Sequence, residues 1–442
     1  MKTVIRHATI LNEGERYEAS LLIGAGIIEH IEREGDISLP GAEVVDARGC
    51  LLIPGVIDDH VHMREPGLTH KATMDSETCA AAAGGVTTVM DMPNTIPQTT
   101  TIQTWQEKMQ IGAQHCHVNY AFYLGATNDN LEEIRRVDAT RVPGIKLFMG
   151  SSTGNMLVDD EETLRQIFRQ SPTLVMTHCE DTQRINRRMA EMQALYGDDP
   201  DVGHHPDIRD AEACYASTAL AVRMARETGA RLHVAHITTE RELELFSSDN
   251  AQITAEACVA HLLFCRKDYA RLGTRIKCNP AIKETSDRNA LRLALNDGRI
   301  TTVATDHAPH QLSEKQGGCR RAASGMPMVQ FSLPAMMTLA DEGILPHQRV
   351  VELMCHAPAR LFDIEGRGFI REGYQADLTL LRHTPWEVTS DCIQSLCGWS
   401  PMEGQTLAWH VERTWVNGQM VWDGQTVNRN VRGQAVTFHG NS

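Results

Sequence analysis

No C-x-x-C pair occurs in this sequence, although twelve cysteines are scattered from Cys50 to Cys397. A thiolate zinc ribbon has no spacing to support it, and a disulfide framework is not expected in a chain of 442 residues. There is no long basic run: 42 Lys and Arg stand against 57 Asp and Glu, a formal net charge of −15. Nucleic acid is thereby disfavoured as a partner, because neutralising phosphates takes clustered cations. No stretch approaches the ~18 uninterrupted apolar residues of a membrane-spanning helix. The opening "MKTVIRHATILNEGER" has no signal-peptide apolar core. Low-complexity tracts are missing too. The expectation is a soluble, reduced, cytoplasmic protein, 42% hydrophobic and 22% charged, long enough for one large domain and a smaller one.

What is present is a repeated alternation. Short apolar runs occupy 51–63, 85–94, 118–126, 144–150, 172–181, 231–239, 251–258 and 300–310. Helix-like segments such as "DEETLRQIFRQ" and "AEACYASTALAVRMARETG" separate them. Runs of this length, rich in Val, Ile and Thr, read as parallel βα units. Eight units predict an α/β fold, a closed (β/α)8 (TIM-like) barrel over 51–365. An open doubly wound sheet would want a Gly-rich phosphate turn after its first strand, and none follows "LLIPGVIDDHV". Residues 1–50 and 366–442 instead give short β pieces and turn residues such as Asn417-Gly418. They are assigned together to a small β-sandwich-like domain formed by both termini.

The stretch "DDHVHMREPG" (58–67) sets the functional question. Read as one strand, it places Asp58, His60, His62 and Arg64 on a single face. Such a polar row is poor core material. Barrel sites lie at the C-terminal ends of strands, and there the sequence places His60, His62, Asn94, Lys146, His178, His236, Asp306 and His310. Singly, each has an ordinary reading: a satisfied core histidine, a lysine paired with an acid, an aspartate capping a helix. Together they converge on one barrel mouth. Four neutral imidazoles and a carboxylate suit zinc or another borderline divalent ion, and five ligands suit two ions better than one.

In order along the chain, "DDHVHMREPG", "AAAAGGVTTVMDMPNT", "GIKLFMGSSTGNM", "THCED", "VAHITT", "KCNPAIK", "DRNAL" and "ATDHAPH" resemble the dihydroorotases of the amidohydrolase superfamily, and "CGWSPMEG" (397–404) adds to the match. The resemblance implies a distorted barrel with two Zn2+ per subunit. His60, His62 and Asp306 would match ligands of one zinc, His178 and His236 those of the other. Lys146 would match a carboxylated lysine bridging both, along with a bridging hydroxide; Asp159 and Asp160 stay open as alternative bridges. An ammonium cannot ligate metal, whereas a carbamate anion can, and it lowers the charge of the site. Arg64, Asn94 and His310 match residues holding a substrate carboxylate, and Asn279 and Gly325 residues at the ring amide. The implied reaction is the reversible cyclisation of N-carbamoyl-L-aspartate to L-dihydroorotate and water, in pyrimidine biosynthesis. Hydroxide attacks the ring carbonyl and Asp306 acts as catalytic proton shuttle. The alternatives are an allantoinase or a dihydropyrimidinase (hydantoinase), whose rings carry no comparable carboxylate, and a non-catalytic assembly partner. A homodimer is the superfamily expectation. Residues 310–325 match no motif and are expected to form a mobile loop over the site.

Overall fold

The structure is a computed structural model that describes residues 2–150 and 156–440; the 151–155 part of "GIKLFMGSSTGNM" lies outside the described residues. Each of the eight apolar runs contributes a parallel strand: Val56–Val61, Val86–Asp91, Asn119–Phe122, Gly144–Phe148, Leu174–His178, Leu232–Val234, Ile253–Cys258 and Thr302–Ala304. They run in chain order around the barrel as two ladders, broken at Tyr123, where Leu124–Gly125 takes over the pairing with Gly144–Phe148. The ring closes through a parallel bridge between Val61 and His307 and the bond His62 N to His307 O, 2.7 Å. Helices cover the outside. In Glu161–Gln170, for example, Leu164, Ile167 and Phe168 are buried, the i, i+3, i+4 stripe of a helix lying on a core.

Two boundaries differ from the sequence reading. The run 51–63 is two strands, not one. Cys50–Pro54 pairs parallel with Thr3–Asn12 and antiparallel with Leu378–Glu387, so it belongs to the terminal sheet. Proline lacks the N–H that a continuing ladder would use, and Gly55 follows it before the barrel strand starts at Val56. The terminal sheet is one continuous eight-stranded sheet, branched at Thr3–Asn12, in place of the two sheets of a sandwich. It has its own core, including Ile5, Ile10, Leu21, Leu52, Leu378 and Trp415. Its last hairpin turns at Asn417 (φ 49°) and Gly418 (φ 74°), two positive values that a two-residue hairpin turn requires.

The second difference is at the C-terminus. After Gln419–Trp422 the chain leaves this sheet and returns along the barrel. Gly433, Gln434, Val436 and Phe438 bond to the backbone of Cys116, Tyr120 and Thr140, and Val431, Val436 and Phe438 are buried. Among the described residues no helix is long and apolar enough to cross a membrane.

Candidate active site

The strand ends open on a cavity of about 460 Å³. It is lined by His60, His62, Arg64, Asn94, Lys146, His178, His236, Asn279, Asp306, His310 and Gly325, so the structure brings together every site residue expected from the sequence. The strand reading of "DDHVHMRE" holds only in part. The strand ends at Val61 and its register shifts after Asp58, and Arg64 has φ 66°. Asp58 turns to the barrel wall, where it accepts from Thr305 Oγ1 at 2.6 Å. Arg64, His236 and Asp306 all adopt positive φ. Such backbone is costly outside glycine and persists where the surroundings hold it. At Asp306 the hold comes from its neighbours: Thr305 bonds Asp58, and His307 is clamped by Glu77 at 2.8 Å.

At the inner end, His60 Nε2 and His62 Nε2 approach Asp306 Oδ1 at 3.4 and 3.0 Å. His178 Nδ1 faces His236 Nε2 at 2.9 Å. Three of the rings are oriented through their other nitrogen: His60 Nδ1 by Glu256 (2.9 Å), His62 Nδ1 by Asn94 Oδ1 (2.9 Å) and His178 Nε2 by Glu180 (2.8 Å). Burial lowers the pKa of all four imidazoles, with Lys146 and neighbouring histidines adding to this at His60 and His236, so the rings are neutral. Neutral imidazole nitrogens converging on a carboxylate are a donor set for a borderline divalent cation.

Lys146 completes that set. It is fully buried, and its Nζ has no hydrogen-bond or ion-pair partner among the described residues. The structural ion pair weighed for it from sequence therefore has no acid. Burial lowers its pKa, and an isolated buried ammonium is costly. A side chain that gains an anionic head and metal partners removes that cost, so the residues present fit a metal pair. The alternative bridges do not reach: Asp159 and Asp160 are exposed, and Asp160 caps the helix Glu161–Gln170 through Thr163 N at 2.7 Å.

The outer end is lined by Arg64, Asn94 and His310. Arg64 is 8% exposed and pairs with no carboxylate among the described residues; its Nε donates to Pro309 O at 3.0 Å. Its second guanidinium nitrogen lies 3.1 Å from His310 Nε2. Lys71 Nζ donates to His310 Nδ1 (3.1 Å), which puts the ring hydrogen on Nε2 beside Arg64. Burial, then the Arg64 and Lys71 charges, keeps that ring neutral. Asn94 Oδ1 is occupied by His62, so its amide hydrogens are what it can offer a ligand. His310 Nε2 also donates to Ser324 O (3.1 Å) and Lys71 pairs with Glu314 (2.8 Å), so the Arg64 guanidinium and the Asn94 amide are the donors that suit a carboxylate.

Segment 310–325 is tied down rather than loose. Lys315 Nζ, buried, donates to the carbonyls of Lys277 (3.0 Å), Ala323 (2.7 Å) and Gly325 (2.7 Å). Gly325 has φ 133°, and a Cβ there would stand 2.6 Å from Ala308 O, so only glycine fits this wall. Sequence reasoning missed Glu180, Glu256, His205, Arg209, Lys277 and Lys315. Glu180 stood in a quoted motif, "THCED", two residues after His178. Lys277 opens another quoted motif, "KCNPAIK", two residues before Asn279, while Arg209 lines the cavity from a segment that no local pattern marked.

A profile of the amidohydrolase family matches residues 51–421. A dihydroorotase of Methanosarcina mazei is 33% identical, over 96% of this chain and 95% of the relative. An allantoinase of Bacillus velezensis is 30% identical, over 91% of this chain and 88% of the relative. The solved structure of an L-hydantoinase (dihydropyrimidinase) from Arthrobacter aurescens superposes with a TM-score of 0.93 at 27% identity, covering 98% of this chain and 99% of that one.

Proposed function

Because this chain belongs to the amidohydrolase family, a hydrolase family acting here on cyclic amides, we propose that it catalyses the dihydroorotase reaction: the reversible cyclisation of N-carbamoyl-L-aspartate to L-dihydroorotate and water. Its relatives carry three different activities, so the local site has to arbitrate. The observation that carries the reading is Arg64, a buried guanidinium with no protein carboxylate, set against His310 and Asn94. Dihydroorotate brings a carboxylate to that position. Hydantoin and allantoin do not, and for them the buried charge would stay unpaired.

His60, His62 and Asp306 would hold one divalent ion, His178 and His236 a second, and Lys146 as a carbamate would bridge them. When bound, a zinc pair polarises an amide carbonyl and makes hydroxide available near neutral pH. The chain's own residues do the rest. Arg64, Asn94 and His310 fix the spectator carboxylate and so hold the ring in register. Asn279 and the backbone near Gly325 flank the ring amide; Gly325 N–H bonds Lys277 O and its carbonyl accepts from Lys315 Nζ, which fixes that wall. Asp306 Oδ1 stays with the two histidines. Its Oδ2 has no protein partner among the described residues, and it would take the proton released by the attacking water as the C–O bond forms and return it to the ring nitrogen as the C–N bond breaks. A reduced cytoplasmic setting, a homodimer and a place in pyrimidine synthesis belong to the same proposal.

The test is zinc content with turnover of dihydroorotate, hydantoin and allantoin in parallel, with and without bicarbonate. About two zinc ions per chain are expected, together with turnover of dihydroorotate alone and faster reconstitution with bicarbonate. Turnover of hydantoin or allantoin in preference would assign the chain to those activities.

A further inference from the structure

One metal-facing imidazole is governed by residues outside the set that would touch metal or substrate. His178 is a neutral ring with one N–H and one lone pair. Its Nε2 lies 2.8 Å from Glu180 Oε2. A carboxylate only accepts, so the hydrogen sits on Nε2 and the lone pair on Nδ1, the atom 2.9 Å from His236 Nε2. Glu180 is fully buried. Among the described residues its single cationic hydrogen-bond partner is Arg209, which donates to the same Oε2 and lines the cavity. We propose that Glu180, held by Arg209, is a positioning residue for His178, fixing the tautomer that leaves Nδ1 free for a metal ion.

The alternative tautomer explains why such a device is needed. With its hydrogen on Nδ1, His178 would donate straight to His236 Nε2 across the same 2.9 Å. In that tautomer Nδ1 carries a hydrogen and has no lone pair for the second ion. Glu180 forbids it by demanding the hydrogen at Nε2. Outer carboxylates that orient a ligating histidine raise metal affinity by about 10- to 100-fold. Arg209 pairs with the buried carboxylate and holds it against His178. Its effect on the metal is therefore indirect, through Glu180. The inference rests on the metal reading proposed above.

The bland reading is an ion pair that only stabilises the fold. The two separate in the full-length protein by measuring zinc affinity against a competing chelator and the melting temperature of the metal-free form. Glu180→Met leaves Arg209 unpaired, and both quantities should fall, zinc affinity at one of the two positions by about 10- to 100-fold. In the double variant Glu180→Met with Arg209→Met no charge is stranded, and metal-free stability should recover. Zinc affinity should not recover, because the tautomer is still unfixed. Glu180→Gln, which keeps an acceptor oxygen, should restore part of it. If the double variant regains parent zinc affinity along with its stability, the pair is structural and the inference is overturned. Parent affinity in Glu180→Met overturns it equally. Should Glu180→Met not fold, Glu180→Gln and the double variant carry the comparison. A parent chain that binds no zinc overturns the proposed function first, before any variant is read.

Discussion

Asp306 gathers two demands into one side chain: Oδ1 faces His60 and His62, and Oδ2 is open. Asp306→Asn keeps the shape and the metal-facing oxygen but cannot take a proton. Activity should fall at least about 100-fold, with zinc measured alongside so that lost metal is not mistaken for lost proton transfer; an active asparagine variant would remove the shuttle. Lys277 gives the cavity a titration of its own. Burial and the Arg209 charge push its ammonium down to about 8. As pH rises through that value the cavity loses a positive charge, so KM for the anionic substrate should climb by about fivefold, some 1 kcal/mol of coulombic attraction. In Lys277→Met the KM should already be raised and the pH limb gone. A limb that survives in the variant would belong to another group. At this scale the sequence was most legible where residues sit in or next to apolar runs: His60, Lys146 and His178 could be placed by periodicity alone. Arg64 lines the cavity, but from past the strand end with positive φ rather than from a strand face.

Between residues and the whole lie the strands and the loop 310–325. The barrel strands were readable because buried parallel strands are continuous apolar runs. Periodicity could not see the split at Pro54-Gly55, since both halves are equally buried and differ only in their partners. The loop was illegible for the opposite reason. Its order comes from Lys315 reaching three carbonyls and from Asp199 accepting the N–H of Gly318, Arg320 and Arg321, and backbone groups leave no mark in a sequence. Lys315→Met strands those carbonyls. It should cost about 1–3 kcal/mol per carbonyl left unsatisfied, up to whatever water can replace, and raise amide exchange over 312–325. Because Gly325 is one of the anchors, KM should rise more than kcat falls. Exchange indistinguishable from the parent would mean the loop is held by other contacts.

For the molecule as a whole, the two termini do different work. Residues 3–54 and 378–422 make the eight-stranded sheet, while the end of the chain is a strap on the barrel. Grouping all of 366–442 with the sheet was a composition argument, and composition does not distinguish a sheet strand from an extended segment bonded elsewhere. The strap predicts that Phe438→Ala, which empties a buried position against the barrel, lowers stability by about 3–5 kcal/mol, read as a fall in melting temperature. Little change there would make the strap dispensable. The central claim, that this barrel mouth was built around a ring bearing a carboxylate, has a direct measurement. Dihydrouracil is the dihydroorotate ring without that carboxylate, so the ratio of kcat/KM for the two substrates isolates the carboxylate's contribution. A site with a buried donor left unpaired should reject dihydrouracil by about 10⁴-fold, and in Arg64→Met the ratio should collapse toward unity. A parent enzyme that turns over both rings alike, or a ratio unmoved by the loss of Arg64, would contradict the account.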